Sequence, residues 1–214
     1  MTRSRIFLAD DHKILLAALH KVLEPEFEIV GAATDGRALL AEAERLAPDL
    51  VIVDLGLPLL NGIDAGQRLR ELLPRTRFLV VTMNEDPEVA FHVLNGWASG
   101  FLLKKSGTAE LLRAVREVLA GRSYVSPEVL ANLGEQSSQP SEHPGNSLTF
   151  RQREVLQLLA EGCSMKEAAS ILDVTMRTIA FHKYKLMQHL SLHSSNDLVR
   201  LAVEEHMISS PADR

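Results

Sequence analysis

The stretch Phe7–His12, FLADDH, runs from apolar residues directly into two adjacent carboxylates. Together with Ile6 it has the length and apolar character of a short strand covered on both faces. Asp10 and Asp11 then stand at the carboxyl end of that strand, where two neighbouring negative charges repel unless a cation or a hydrogen-bond network offsets them. Either the pair faces water or it holds a metal ion.

Similar short runs recur at Ile29–Ala32, Leu50–Val53, Phe78–Val81 and Phe101–Leu103. Amphipathic stretches lie between them, among them Ile14-Leu15-Ala18-Leu19-Val22 and Leu111-Leu112-Val115-Leu119. Strand and helix alternating five times predict parallel βαβ units, hence an α/β fold with a doubly wound five-stranded parallel sheet. No glycine-rich phosphate cradle succeeds the first strand, which argues against a nucleotide-binding version of this architecture.

The chain is long enough for two domains, and its 46 % hydrophobic content is that of globular protein. We expect a first domain over 1–125, a short helix and flexible linker over 126–147, and a small all-α domain over 148–214. The linker is read from GEQSSQPSEHPGNS (134–147), which lacks apolar residues. No apolar run approaches the ~20 residues needed to cross a bilayer, and Met1–Arg5 leads straight into a strand-like segment. A cytoplasmic protein with no membrane partner is expected. The single Cys163 excludes an internal disulfide and a zinc-finger site.

The residues just beyond the apolar runs carry the chemistry. Asp10 and Asp11 come after the first run, Asp54 after the third, Thr82 after the fourth and Lys104 after the fifth. The carboxyl ends of strands in an open parallel sheet line its ligand crevice, so these side chains should converge. Three carboxylates form an oxygen-rich site for a hard cation that keeps part of its water, which fits Mg2+. Asp54 is then placed to attack a phosphoryl group and form an acyl phosphate. Lys104 would neutralise one phosphoryl oxygen and Thr82 would hydrogen-bond another. Singly, each residue has an ordinary role as helix cap, strand end or surface charge. Their arrival at corresponding strand ends favours the joint reading.

Residues 5–121 resemble a response-regulator receiver domain through ADDH (Ala9–His12), VDLGLPLLNGID (Val53–Asp64) and ASGFLLKKS (Ala98–Ser106). The resemblance implies that Asp54 is the phosphoacceptor and that Asp10, Asp11 and Asp54 hold Mg2+ with the carbonyl of Gly56. It implies also that Thr82 is the switch hydroxyl, Phe101 the switch aromatic and Lys104 the site lysine. Pro58 and Gly62 fall where the family shapes the loop after the acceptor, and Gly56 and Asn84 where it tunes acyl-phosphate lifetime. Lys105 departs from the pattern. Many receivers have there a proline after a cis peptide, and a cis bond before a non-proline residue costs several kcal/mol, so the backbone geometry at this step is open.

In Leu148–Leu190, LTFRQREVLQLLAEGCSMKEAASILDVTMRTIAFHKYKLMQHL, Thr149 and Gln152 form a capping box, and Ser164 with Glu167 another. The first predicts a helix over Phe150–Glu161 that ends at Gly162. After Asp173-Val174, Thr175 opens a third helix. Short helix, tight turn and a longer helix with surplus positive charge read as a helix-turn-helix. Val174–Leu192 carries Arg177, Lys183 and Lys185 with no acidic residue. At 100° per residue, Ile179, Leu186, Met187 and Leu190 point inward, whereas Arg177, Ala180, Phe181, Tyr184 and Gln188 point outward. We therefore expect Arg177, Thr178, Ala180, Phe181, Lys183, Tyr184 and Lys185 to meet double-stranded DNA, with Arg177 and Lys185 reaching phosphates or guanine edges. Phe181 and Tyr184 have a second reading, in which they pack on a neighbouring helix.

This segment resembles the LuxR-type domain of NarL/FixJ regulators, including a final helix from about Asn196 to His206 that serves dimerisation in the family. The two resemblances together imply a two-component response regulator, phosphorylated at Asp54 by a sensor histidine kinase and binding DNA as a homodimer. Its only chemistry would be phosphotransfer to itself and autodephosphorylation. A phosphorylation-independent regulator with a receiver-like interaction domain is the alternative. A Mg2+-dependent phosphohydrolase is disfavoured because Leu55-Gly56, and not a second acid, come after Asp54.

Overall fold

The computed structural model describes residues 3–133 and 148–208. The proposed linker, 134–147, lies outside the described residues. Two compact units are present, one built on a sheet and one all-helical.

In the first unit the order is β1 (Arg5–Ala9), α1 (Lys13–Leu23), β2 (Glu28–Ala33), α2 (Gly36–Leu46), β3 (Leu50–Val53) and α3 (Gly62–Leu72). It continues with β4 (Arg77–Thr82), α4 (Pro87–Gly96), β5 (Gly100–Leu103), α5 (Thr108–Leu119), β6 (Tyr124–Val125) and α6 (Pro127–Leu133). The strands are parallel in the order β2-β1-β3-β4-β5-β6. The five expected strands are all present, each within a residue or so of its apolar run. A sixth corrects the expected count: Tyr124–Val125 pairs with Gly100 and Phe101 at the edge. Two residues are too short to register as an apolar run.

Why these runs are apolar on both sides is explained by the layers. Ile6, Leu8, Leu50, Ile52, Leu79, Val81 and Leu102 face a core completed by Leu19 and Leu23 of α1 and Leu111, Ala114, Val115 and Val118 of α5. The alternate residues Phe7, Val51, Val53, Phe78, Val80 and Phe101 are equally buried. At ~25 cal/mol per Å2, this two-sided burial is the main stabilising contribution. On the second side, Trp97 meets Phe78 edge to face at 5.7 Å. Gly66 makes that possible, since a Cβ there would lie 2.4 Å from the indole.

The second unit comprises α7 (Phe150–Ala160), α8 (Met165–Ile171), α9 (Met176–His189) and α10 (Ser195–Glu204). Both anticipated capping boxes are formed, and Ser194 with Asp197 makes a third at α10. Gly162 leaves α7 at φ +95°, a conformation that favours a residue without Cβ. Leu156, Leu186, Leu198, Leu201 and Met207 form one buried cluster; Val155, Leu158, Ala168 and Ile179 belong to a second. Ala168 of α8 is small where it is buried in one cluster with Ile179 of α9.

Candidate functional site

Each strand that feeds the site is prolonged by one hydrogen bond, and this aims the next side chain. The Asp10 amide donates to Ala33, the Asp54 amide to Ala9 at 2.9 Å, and the Lys104 amide to Thr82 at 2.8 Å. Asp10, Asp54 and Thr82 are all buried. The Lys104 ammonium lies 2.7 Å from Asp10 Oδ2 and 2.8 Å from Asp54 Oδ2, with 8 % of its side chain exposed. Burial by itself pulls this ammonium towards neutrality, but the Asp54 charge and the hydrogen bonds to both carboxylates outweigh it, and its pKa is raised. Lys104 is therefore a charged group at neutral pH, compensating two buried acids.

Asp11 stands further out, 38 % exposed. One oxygen from each of Asp10, Asp11 and Asp54 and one His12 nitrogen lie within 4.8 Å of one another. An oxygen-dominated set of that size fits a hard divalent cation. Sequence reasoning misses His12. Its Nδ1 lies 2.7 Å from Asp11 and 3.2 Å from Asp10, while its amide donates to Asp10 Oδ1 at 2.9 Å. The one signal for it in the sequence is its place as the N-cap residue of α1, directly after the acid pair.

Thr82 ends β4, and its hydroxyl accepts the Asn84 amide at 3.2 Å. Phe101 is fully buried on β5. Gly56 is partly exposed in the loop after Asp54. Gly62, at the start of α3, donates its amide to Leu55, and a Cβ on it would stand 2.0 Å from the Asp54 carbonyl oxygen. Only glycine lets α3 begin so close to the end of β3. The Lys104–Lys105 peptide is trans, as are all described peptide bonds, and Lys105 pairs with Glu85 at 2.7 Å.

In the helical unit, α9 begins at Thr175, whose hydroxyl accepts the Thr178 amide at 3.2 Å. Arg177, Ala180, Tyr184 and Lys185 are exposed, with Thr178 and Lys183 partly so. Phe181 is 57 % and Tyr184 67 % exposed, so neither packs as a core residue on a neighbouring helix. The Lys185 ammonium lies 6.0 Å from the centre of the Phe181 ring. His182 faces inward in part; burial, then the Arg151 charge, lower its pKa and favour the neutral ring. One helix face thus offers cations and aromatic surface together, the combination that meets phosphates and base edges.

Residues 6–116 match the family described as response regulator receiver domain, and residues 146–202 the bacterial regulatory proteins of the luxR family. The oxygen regulatory protein NreC of Staphylococcus carnosus (strain TM300) is 32 % identical, with 95 % of this chain and 99 % of that protein covered. Among solved structures, the RcsB response regulator of Salmonella typhimurium is 28 % identical with a TM-score of 0.60, covering 94 % and 98 % of the two chains. A structure of two RcsB dimers bound to two parallel DNAs is 27 % identical with a TM-score of 0.61, again covering 94 % and 98 %. Among the described residues, no helix is long and apolar enough to cross a membrane.

Proposed function

Because the chain belongs to the response regulators that join a receiver domain to a LuxR-type DNA-binding domain, we propose that Asp54 is the residue whose phosphorylation controls its binding to DNA. The observation that carries this is the Lys104 ammonium held between the Asp10 and Asp54 carboxylates at the strand ends. A nucleophilic carboxylate needs a fixed cation beside it, so that the arriving phosphoryl oxygens are not repelled.

In this reading a sensor histidine kinase, or a small phosphodonor, delivers the group. An Asp54 oxygen bonds to phosphorus as the bond from phosphorus to the donor nitrogen or oxygen breaks, and the leaving imidazole or carboxylate departs with that electron pair. The product is an acyl phosphate. Lys104 would exchange an Asp10 or Asp54 contact for a phosphoryl oxygen, and the Thr82 hydroxyl would leave the Asn84 amide to donate to another. Mg2+, held by Asp10, Asp11, Asp54 and the Gly56 carbonyl, would offset the remaining negative charge when bound. Phe101 would move with Thr82, a population shift for which the acyl phosphate is the differential ligand.

The output is carried by α9. Arg177, Thr178, Ala180, Phe181, Lys183, Tyr184 and Lys185 would enter or flank the major groove of an operator, with two copies of the chain on DNA, as the RcsB complex has dimers. Self-phosphotransfer and autodephosphorylation would be its only catalysis, and the cytoplasm its compartment. The test is incubation with acetyl phosphate, with and without Mg2+, and then intact mass. A Mg2+-dependent adduct in the wild type that is lost in Asp54→Ala is expected. An adduct that persists in Asp54→Ala would assign the acceptor elsewhere.

A further inference from the structure

The hydrogen bonds around the far end of β5 converge on a side chain outside the acidic cluster. Ser126, between β6 and α6, is fully buried. Its amide donates to the Phe101 carbonyl at 2.9 Å, and its hydroxyl oxygen accepts the Leu103 amide at 3.1 Å. It thus holds β5 on both sides of Leu102. The hydroxyl in turn donates to Glu110 of α5 at 3.4 Å and lies 3.4 Å from the Ser106 hydroxyl. Glu110 is fixed from a second direction by the Tyr124 hydroxyl at 3.2 Å.

Leu103 immediately precedes Lys104. In a regular parallel ladder its amide would be taken by a backbone carbonyl of the next strand. Here the chain is already turning into α6, and a side-chain oxygen substitutes. The Ser126 carbonyl meanwhile accepts the Leu130 amide in the first turn of α6, and Val129 on that helix is buried. One residue is therefore bonded to the strand that ends in Lys104 and to the helix after which the chain continues towards its DNA-binding unit.

We propose that Ser126 is a positioning residue that joins the Lys104 end of β5 to α6, so that a change at the acidic site is passed to α6. A buried amide stripped of its acceptor is costly. A shift of Leu103 that accompanies Lys104 therefore carries Ser126 with it, and Ser126 carries the first turn of α6. This is coupling through contiguous hydrogen-bonded elements. It rests on the reading of Asp54 and Lys104 as the input site, yet its test needs no phosphoryl transfer.

The experiment is a double-mutant cycle in the full-length protein between Asp54→Ala, which removes one of the two carboxylates holding Lys104, and Ser126→Ala, read as amide hydrogen exchange across α6. With Ser126 present, Asp54→Ala is expected to change α6 exchange by at least about two-fold, the lower end of coupling between bonded neighbours. In the Ser126→Ala background that response should vanish. An equal response in both backgrounds, or none in either, overturns the proposal. Ser126→Cys keeps the volume but offers a weak acceptor; the same loss is expected there, and this variant decides the matter if Ser126→Ala does not fold. Intact mass after acetyl phosphate reports separately on Asp54 as acceptor, so an absent adduct counts against that assignment and an absent coupling against Ser126.

Discussion

The acidic site and the exposed face of α9 are built by opposite strategies. Asp10, Asp54, Thr82 and Lys104 come from the ends of four strands scattered along the chain, and they touch only because the sheet aligns those ends. The residues of α9 that would meet DNA lie within one helix, and its own periodicity sorts them outward. The first site is buried and charge-compensated; the second is exposed and leaves its cations to solvent. A site for chemistry needs groups fixed in low dielectric, whereas a surface for a polyanion needs cations that can release counterions.

The most damaging way to break this contrast is to remove the compensation inside the sheet. Lys104→Met leaves Asp10 and Asp54 buried without their shared cation. The first unit should lose about 3–5 kcal/mol, measured by urea unfolding, with part of the loss recovered on adding a divalent ion. A variant as stable as the wild type would show that the carboxylates do not depend on Lys104. Gly62→Ala tests the packing beneath Asp54. With the Asp54 carbonyl oxygen 2.0 Å from the new Cβ, about 1–3 kcal/mol of overpacking strain is expected, together with slower adduct formation from acetyl phosphate.

On the helical side the effects should be smaller and of a different kind. Arg177→Ala should weaken DNA binding with little change in fold, and lower the salt slope of log affinity by about one if the guanidinium meets a phosphate. Fluorescence anisotropy across a salt series reads this directly. An unchanged slope with relaxed sequence preference would move Arg177 to a base edge. The mildest perturbation concerns the α8 cap. The Ser164 hydroxyl and amide hold the Glu167 carboxyl below its ordinary range. A lowered acid contributes stability above its unfolded pKa and loses it as pH falls through the folded one. Thermal scans below about pH 4.5 should therefore separate wild type from Glu167→Gln by less each step downward. Because Glu167 is exposed, this difference should be the smallest of the set.

How legible the molecule was depended on the range of the interaction. The strands at Ile6–Ala9 and Leu50–Val53, and the caps at Thr149, Ser164 and Thr175, are set by apolar runs or by side chains reaching three residues along the chain, so sequence spacing gives them away. Tyr124–Val125 failed that test, because a two-residue edge strand exists only through its partner β5. His12 and Ser126 failed it too. His12 approaches the carboxylates through the geometry of its cap position, and the hydroxyl of Ser126 accepts the amide of Leu103, a residue 23 positions earlier in the chain.

By itself the sequence determined which residue types stand at each strand end, the alternation of strand and helix, and the sorted faces of α9. Each of these is local: short continuous apolar runs and the residues that end them, the 3.6-residue helical period, and short-range capping. The tertiary structure alone decided that one ammonium serves two carboxylates, that α3 starts against the Asp54 carbonyl, and that one buried hydroxyl replaces a backbone acceptor at the edge of the sheet. Most of those contacts join residues tens of positions apart, and their distances are set by how packed layers stack, which no local pattern encodes.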